Sequence, residues 1–589
     1  MLGPLVLFRA LNALCLQTAF NPDEYWQALE VAHALVFRYG YLTWEWREML
    51  RSYLYPLFFV VIYWILDLLH LDYAALLIHL PRILQSVFAA LSDWATYHFA
   101  ERLFGKNIAR WTLFCSVFSW FNFFAMPRTL GNSMEAAFSV LAFLYWPFPD
   151  MPAPPSLPWS RPPAGKSHPK SRVAGGWIST PSSRLVALTL AFVAVAIRPT
   201  CAVMWGIIGL WTVLRMPLRM WPRFVLCETI PIGFNVFSGG GSFYGVHQLH
   251  WYLSSAIPTM LLTWTPLLLP SLMAFLPHPG PSRHPPGGSN PPARATLGLL
   301  WAMVGACVGP YTLVAHKEFR FILPIHPVLL CLCGYGLERI RARWMLASPS
   351  SHSPSSASSS NPLSSPPPPS LGGLKAAWRR SAGSRKQRGL LWALGLLVVG
   401  QLAAAAFFSL AHQRGTVSVL GYVRDPNLVP SGDAVLLLLP CHATPFQSHV
   451  HRPDIRLLFL DCAPLINGTA SETQGYVDQA DRFFADPPGF LRQSFLLPEA
   501  VASVEPAYHA TLDWREYHPS TSHRLPLPEH IITYDSILPD IARLLEERGY
   551  HQVARYRHAF VRVDEKRTHD GRYVVVMSRR RPEAMPTAG

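Results

Sequence analysis

Two adjacent carboxylic acids near the start of the chain are the first residues whose types suggest catalysis. Asp23 and Glu24 lie in the segment NPDEYWQ (21–27), directly after an apolar run. Acidic side chains at the exit of a membrane helix are costly unless they face water or a site. A carboxylate beside a substrate hydroxyl can act as a general base. The alternative is a helix cap, in which Asn21 begins an interfacial helix whose dipole favours the acids.

Aromatic and charged residues are mixed in the next segment. Residues 41–47 include Trp44, Glu45 and Trp46, and Arg51 follows shortly after. Aromatic rings pack on the C–H faces of sugars while polar neighbours bind hydroxyls, so the segment suits a sugar site. The same composition is typical of the aromatic belt at a membrane surface, and the pattern alone favours that reading.

Three potential cations occur within five residues of HKEFR (316–320). His316, Lys317 and Arg320 lie there between two apolar runs. Such a group would bind a phosphate through charge-assisted hydrogen bonds. The alternative is a solvated turn with snorkelling side chains.

If the site transfers a sugar, the absence of one motif narrows the class of sugar donor. Many nucleotide-sugar enzymes hold a metal ion with an Asp-x-Asp pair, and no two aspartates of this chain are two residues apart. This favours a metal-independent transfer from a donor whose phosphate is bound by basic side chains. Arg128 and Arg198 could add positive charge to the phosphate-binding group at 316–320. Alternatively, they are ordinary residues at the ends of helices. The sequence also has no Walker loop, no zinc-spaced cysteine and histidine cluster, and no nucleophile elbow.

The composition indicates a membrane protein. Of 589 residues, 50% are hydrophobic and 14% charged, against about 25% charged in soluble domains. The net charge of +15 would suit nucleic acid, but the charges fall in short loops between apolar runs. We expect a polytopic α-helical protein with roughly 10–12 membrane segments. The candidate runs are 1–20, 54–71, 80–104, 111–126, 133–149, 184–197, 200–214, 224–237, 252–276, 297–315, 319–337 and 389–410.

The charge distribution predicts the topology. The segment 339–388 has nine basic residues and no acid, so we expect it to be cytosolic. The next run then places 411–589 in the lumen, together with Asn467 of the only glycosylation sequon. By alternation, the flexible, proline-rich loops 150–183 and 277–296 are cytosolic, and the polar groups described above are lumenal.

One run breaks this alternation. With a cytosolic N-terminus and a lumenal loop 21–52, only one crossing fits between Ser52 and Gly105, although two apolar runs occur there. We expect 54–71 to lie along the membrane or dip into it.

The predicted topology divides the chain into a multi-span domain, 1–410, and a lumenal domain, 411–589. Alternating apolar residues in 434–439 and 573–577 predict strands, so the second domain should be a smaller α/β unit. Cys441 and Cys462 lie in it and are candidates for a disulfide.

Six motifs together resemble glycosyltransferase family 22, the dolichol-phosphate-mannose-dependent mannosyltransferases of GT-C architecture. They are NPDEYWQALE (21–30), TWEWRE (43–48), RS..YP (51–56), PRTLGNSMEA (127–136), RPT (198–200) and HKEFRFILP (316–324). Two departures are Asn21, where the family usually has histidine, and a shortened segment between Glu228 and Gly241. Further segments resemble the members that add the third, α-1,2-linked mannose to the glycosylphosphatidylinositol (GPI) precursor. These are GSFYGVHQLHWY (241–252), HQRGT (412–416), LLLPCHATPFQSHVH (437–451) and LLFLDCAP (457–464).

The resemblance implies an inverting α-1,2-mannosyltransferase of the endoplasmic reticulum membrane. It would transfer mannose from dolichyl-phosphate mannose to the lipid-linked GPI precursor on the lumenal side, with no cofactor. Asp23 would be the general base, and Glu24 would orient the acceptor or the base. The donor phosphate would be held by His316, Lys317, Arg320 and Arg51, and the acceptor sugar by Trp44, Glu45, Trp46, Arg128 and Arg198.

Other activities stay open. A related enzyme could mannosylate the lipid-linked N-glycan precursor or add the fourth GPI mannose. A catalytically inactive scaffold or a lipid transporter is a different class. A transporter would be expected to have polar residues near the membrane midplane and often internal repeats. Here the polar clusters lie at the ends of the apolar runs.

Overall fold

A computed structural model describes most of the chain. The described residues are 1–148, 151, 152, 154, 181–215, 248–276, 293–314, 317–346, 385–463, 477–496, 525–560 and 571–579. Outside them lie His316, Asn467, the predicted run 224–237 and most of the loops 150–183, 277–296 and 339–388.

Helices form the described part of residues 1–411. They are α1 (Leu2–Leu14), α2 (Glu30–Phe37), α3 (Trp44–Arg47), α4 (Leu54–Leu68), α5 (Ala74–Phe104), α6 (Lys106–Val117), α7 (Trp120–Ala125), α8 (Gly131–Tyr145), α9 (Pro181–Ile197), α10 (Ala202–Arg215), α11 (Ile257–Leu261), α12 (Leu268–Phe275), α13 (Ala293–Leu313), α14 (His326–Leu346) and α15 (Arg385–Ala406). Single π-helical turns occur at Tyr25–Leu29, Tyr252–Ala256 and Phe407–Ala411, and 3-10 turns at Pro199–Cys201, Leu262–Leu267 and Phe319–Ile325.

Five helical segments of the described chain are long and apolar enough to cross a membrane, judged by length and composition. They are Ala74–Phe104, Tyr252–Phe275, Arg294–Leu313, Phe319–Trp344 and Arg388–Ser418. Helix α4, which covers the run 54–71, has 15 residues. At 1.5 Å per residue it extends about 22 Å, less than the about 30 Å of a hydrocarbon core. The helix is therefore too short to cross a bilayer upright.

The predicted run 111–126 is broken into two helices. Helix α6 ends at Val117, and α7 begins after Ser119, whose hydroxyl accepts a hydrogen bond from the Asn122 amide at 3.3 Å. Serine favours this N-cap position because its oxygen satisfies an otherwise unpaired N–H.

A buried ion pair fixes α1 against the bundle. Arg9 of α1 donates to both carboxylate oxygens of Asp93 on α5, at 2.7 and 3.0 Å. The hydroxyl of Ser116 on α6 donates to the same carboxylate at 2.6 Å. Separating a buried pair leaves an uncompensated charge, which is strongly destabilising. The pair therefore holds the end of α1, from which the segment with Asp23 continues.

The residues after 411 form a small α/β unit. Its helices are α16 (Gly415–Ser418), α17 (Leu420–Arg424), α18 (Gln447–Val450), α19 (Gln479–Ala485), α20 (Pro487–Ser494) and α21 (Leu538–Glu546). Its strands are β1 (Ala434–Leu438), β2 (Arg456–Phe459), β3 (Phe495–Leu496), β4 (Leu525–Pro526), β5 (His530–Tyr534), β6 (His551–Arg557) and β7 (Tyr573–Ser578). The predicted strands at 434–439 and 573–577 are confirmed as β1 and β7.

The main sheet has the strand order β2-β1-β5-β7-β6. Strand β1 pairs in parallel with β2 and β5, whereas β7 pairs antiparallel with β5 and β6. Alternate residues of a strand face opposite sides of the sheet. Leu436 and Leu438 accordingly belong to a core shared with α19, α20 and α21. Val435 and Leu437 belong to a second core that also contains Trp26. The sheet therefore packs directly against the segment that follows α1.

Candidate active site

Asp23 and Arg320 meet although they are 297 residues apart in the sequence. Arg320 donates from Nη1 to Asp23, and from Nε and Nη2 to the two oxygens of Glu318 at 2.6 and 2.7 Å. Asn21 donates from Nδ2 to Glu318 at 3.0 Å, and its Oδ1 accepts from the Asp23 amide at 3.0 Å. One guanidinium thus holds two carboxylates, and Asn21 fixes their spacing.

A second arginine reaches this group through α8. Asn132 donates to the carbonyl of Arg320 at 3.0 Å, and its side-chain oxygen accepts from Arg198. Arg198 also lies 3.5 Å from a carboxylate oxygen of Glu135. Arg198 precedes the 3-10 turn at Pro199, and the carbonyl of Arg320 lies in the turn Phe319–Ile325. Helix α8 therefore joins these two turns through its first residues.

The Asp23 carboxylate is surrounded by positive charge but keeps some contact with solvent. Its side chain is 20% exposed. Burial by itself would raise the pKa of Asp23, but the charges of Arg320, Arg51 and Arg198 outweigh burial and the repulsion from Glu318. They lower the pKa of Asp23 below its ordinary value of 3.8. Asp23 is therefore an anion at neutral pH and can accept a proton or pair with a cation.

Glu24 faces away from Asp23 into the protein. Its carboxylate binds Arg128 at 3.0 Å, and both side chains are fully buried. Arg128 also donates to the carbonyls of Thr18 and Phe124 at 2.6 and 2.8 Å. The Thr129 hydroxyl donates to the carbonyl of Glu24 at 2.6 Å. These contacts attach the Asp23 segment to the loop that precedes α8.

Arg51, whose charge acts on Asp23, lies beside Glu45. Their side chains approach to 3.6 Å, and the same oxygen of Glu45 accepts from Gln27 at 3.2 Å. Trp46 is buried, with its ring 4.7 Å from that of Tyr53. Trp44 on the same short helix is only partly buried. Helix α3 therefore presents Glu45 toward Gln27 and Arg51, while Trp46 packs it in place.

Lys317 is buried beside the turn that carries Arg320. Its side chain donates to the carbonyl of Val314 at 2.7 Å.

The C-terminal unit is bound to the segment that follows Asp23. The Trp26 indole donates to the carbonyl of Thr444 at 2.8 Å. Glu30, which is 1% exposed, accepts from the amides of Phe446 and Ser448 at 2.8 and 3.0 Å and from the Ser448 hydroxyl. Burial raises the pKa of Glu30 to about 7, although these hydrogen bonds oppose the shift. The loop 441–451 is thus fixed to the segment that follows Asp23.

A disulfide joins Cys441 and Cys462. Among the described residues, the only group of histidine, cysteine and acid side chains close enough to hold a metal ion is these two cysteines with His442. Their sulfur atoms are bonded to each other, so this group is a disulfide with a neighbouring imidazole.

The structure brings together residues from each predicted motif. Arg51, Arg198 and Arg320 lie around the carboxylate of Asp23, while Glu24 and Arg128 form a buried pair beside it. Trp44, Glu45 and Trp46 lie on α3, at the edge of the group of residues around Asp23. Sequence reasoning did not assign roles to the polar partners Glu318, Asn132, Glu135, Gln27 and Glu30. For Glu318 a signal was present, because it lies two residues before Arg320 in the same motif.

The described chain thus combines apolar helices of membrane-spanning length with a carboxylate among arginines, and comparisons with known proteins give the family. The chain belongs to the Alg9-like mannosyltransferase family, whose model matches residues 3–234 and 218–451. The protein is therefore a mannosyltransferase. The matched residues include every motif that surrounds Asp23.

Individual relatives extend this similarity over nearly the whole chain. The chain is 30% identical to the mannosyltransferase APTG1 of Arabidopsis thaliana, covering 95% of this chain and 88% of the relative. It is 30% identical to GPI alpha-1,2-mannosyltransferase 3 of Homo sapiens, covering 94% and 83%. Its fold resembles that of apo ArnT from Cupriavidus metallidurans, with a TM-score of 0.51, 13% identity and 99% coverage of both chains. The expected GT-C fold is confirmed by this likeness.

Proposed function

We propose that this protein transfers mannose from dolichyl-phosphate mannose to the 2-hydroxyl of the second mannose of a GPI precursor. The observation that carries the proposal is the partly exposed Asp23 carboxylate within a group of three arginines. The near full-length similarity to GPI alpha-1,2-mannosyltransferase 3 supports the acceptor and the linkage. The carboxylate can accept a proton as a base, and the arginines can bind the phosphate of a phosphate-linked donor.

Asp23 acts as the general base. As the acceptor oxygen attacks C1 of the donor mannose, its proton passes to the Asp23 carboxylate. The bond between C1 and the phosphate oxygen breaks, and dolichyl phosphate leaves with the electron pair. A β-linked donor attacked from the opposite face gives an α-linked product in one step. Glu24 positions Asp23 through its buried pair with Arg128 and does not touch the substrate.

The arginines bind the donor phosphate. Guanidinium groups bind phosphate through paired, charge-assisted hydrogen bonds, and Arg320 with Arg51 offers positive charge beside the base. A negatively charged phosphate bound next to Arg320 offsets part of the positive charge that lowers the pKa of Asp23. The pKa of Asp23 then rises toward its ordinary value, so donor binding strengthens the base. In this proposal the arginines, and no metal ion, bind the leaving phosphate.

The active site faces the lumen of the endoplasmic reticulum in this proposal. The disulfide of Cys441 and Cys462 supports this side, because disulfides persist in oxidising compartments. The C-terminal unit, which packs beside Asp23, then lies in the lumen as well. The basic segment 339–388 lies on the cytosolic side.

Complementation tests the proposal. Cells that lack the third GPI mannosyltransferase would express the parent chain, Asp23→Asn or Asp67→Asn, and surface GPI-anchored protein would be measured at matched expression. Asp67 is an exposed aspartate of α4 and provides the control. We expect rescue by the parent and by Asp67→Asn, and loss with Asp23→Asn. Failure of a stably expressed parent would refute the acceptor assignment, whereas rescue by Asp23→Asn would refute the base.

A further inference from the structure

His442 lies on a loop that the C-terminal unit extends toward Asp23. It follows the carboxyl end of β1, and the disulfide of Cys441 and Cys462 joins this loop to the end of β2. Ligands of α/β sheets bind outside the carboxyl ends of parallel strands. The His442 ring packs on the indole of Trp26, with ring centroids 4.4 Å apart. His442 is therefore placed between the edge of the sheet and the segment that carries Asp23.

Three polar atoms in this region are buried and accept or donate no hydrogen bond within the described part of the chain. They are Nε2 of His442, Oε1 of Gln27 and Oε2 of Glu45. Gln27 donates from its amide nitrogen to the other oxygen of Glu45 at 3.2 Å, so these two side chains are neighbours. The charges of Glu45, Asp461 and Asp23 all act on the His442 imidazole. Gln27 directly follows Trp26, on which the His442 ring packs, so the three side chains meet at the segment that carries the base.

Unpaired buried polar atoms need an explanation, because each has lost its hydrogen bonds to water without gaining a partner in the protein. The backbone of His442 adds a second cost, since its φ is +59° in the left-handed region that non-glycine residues avoid. Such strain is found at ligand sites, where the surrounding structure maintains it. Here the disulfide and the hydrogen bond from Trp26 to the Thr444 carbonyl maintain the loop.

We propose that His442 is a specificity-determining residue of the acceptor site. Its Nε2, together with Oε1 of Gln27 and Oε2 of Glu45, binds hydroxyl groups of the acceptor glycan. This inference rests on the function proposed above and names the part of the chain that selects the acceptor. The C-terminal unit thereby completes a site whose base and phosphate-binding arginines come from the helical part.

The chemistry of the three atoms suits sugar hydroxyls. A hydroxyl both donates and accepts, so it can donate to the oxygens of Gln27 and Glu45 and exchange a hydrogen bond with the imidazole. Burial lowers the pKa of His442 to about 4, although nearby carboxylates oppose the shift. The imidazole is therefore neutral at pH 7. An acceptor that lacks the matching hydroxyl would leave these buried atoms unpaired, and such sites discriminate strongly.

The test separates acceptor binding from donor binding. The full chain, purified in detergent, would be assayed for initial rates of mannose transfer. The concentration of a two-mannose GPI precursor would be varied first, and that of dolichyl-phosphate mannose second. His442→Phe retains an aromatic ring on Trp26 but loses Nε2. We expect its acceptor KM to rise about 3- to 10-fold, as for the loss of one hydrogen bond, with an unchanged donor KM.

Three variants control this comparison. His442→Gln places an amide nitrogen near the position of Nε2 and should restore an acceptor KM within about twofold of the parent, well below the rise expected on losing that hydrogen bond. His70→Phe is the matched control, because His70 also has a positive φ, of 55°, but is exposed. It should keep both KM values. His442→Asn tolerates the left-handed backbone but is too short to reach Nε2, so it should raise the acceptor KM even if the Phe variant fails to accumulate.

The outcomes distinguish this inference from the proposed function. A parent chain without transfer activity would refute the proposed function and, with it, this inference. An active parent with an unchanged acceptor KM in His442→Phe and His442→Asn would overturn the inference alone. A lower kcat in these variants at unchanged acceptor KM would assign His442 a packing role and would also overturn it. Failure of His442→Gln to restore the acceptor KM would exclude hydrogen bonding as the cause.

Discussion

Replacement of Glu24 and Arg128, singly and together, separates a positioning role from a chemical one. Both side chains are fully buried and bind each other at 3.0 Å. Removing one partner leaves a buried charge without compensation, which costs about 3–5 kcal/mol, whereas replacing both with apolar groups costs far less. We expect Glu24→Leu and Arg128→Met each to lower the free energy of unfolding by about 3–5 kcal/mol. The double variant should lose clearly less stability than either single variant.

The assay is unfolding of the purified chain in mixed micelles by titration with SDS, followed by tryptophan fluorescence. Mannose transfer would be measured on the same samples. Because Glu24 positions Asp23 rather than the substrate, transfer activity should follow stability and recover in part in the double variant. Additive losses, which would total about 6–10 kcal/mol in the double variant, would refute the coupling. A Glu24→Leu variant with parental stability and no activity would refute the positioning role.

Three further predictions follow from the contacts of the site. Because the folded-state pKa of Glu30 is raised from 4.5 to about 7, the folded state binds its proton more tightly. The free energy of unfolding should fall by about 3 kcal/mol between pH 4.5 and 7; SDS titrations of Glu30→Gln should lack this slope, and an equal slope would contradict the assignment. Replacing Cys441 and Cys462 with serine opens a loop of sequence separation 21 and should lower the stability of the C-terminal unit by about 3 kcal/mol. Hydrogen exchange in β1 and β2 would detect this loss, and unchanged protection would refute it. Arg320→Lys cannot hold Asp23 and Glu318 together, so kcat/KM should fall about 100-fold, with a higher donor KM; parental kinetics would remove Arg320 from the site.

The sequence indicates single polar residues as candidates for the site but does not indicate which residues they contact. Asp23 and Arg320 were identified because unusual polar groups interrupt apolar runs, and that signal is local. Their contact spans 297 residues, and the pairing of Glu24 with Arg128 spans 104. Such contacts depend on how the helices pack, which residue types and spacing do not specify. The sequence alone therefore does not distinguish Glu24, which belongs to a buried ion pair, from its neighbour Asp23, the candidate base.

The contribution of the C-terminal unit could be predicted only in part. Alternating apolar residues identified β1 and β7, because a strand has a period of two. The contacts of Trp26 with Thr444 and of Glu30 with Ser448 each span 418 residues, and no periodicity indicates them. The role proposed for His442 depends on unpaired atoms and a positive φ, which only the structure reveals.

The most direct test of the central claim is transfer by the purified chain from radiolabelled dolichyl-phosphate mannose to a two-mannose GPI precursor, compared with Asp23→Asn. We predict a three-mannose product whose new residue is released by an α-1,2-specific mannosidase. For Asp23→Asn we predict a kcat lower by about 10²- to 10⁴-fold, with the chain still folded. A product resistant to that mannosidase, or an Asp23→Asn variant with near-parental kcat, would contradict the account.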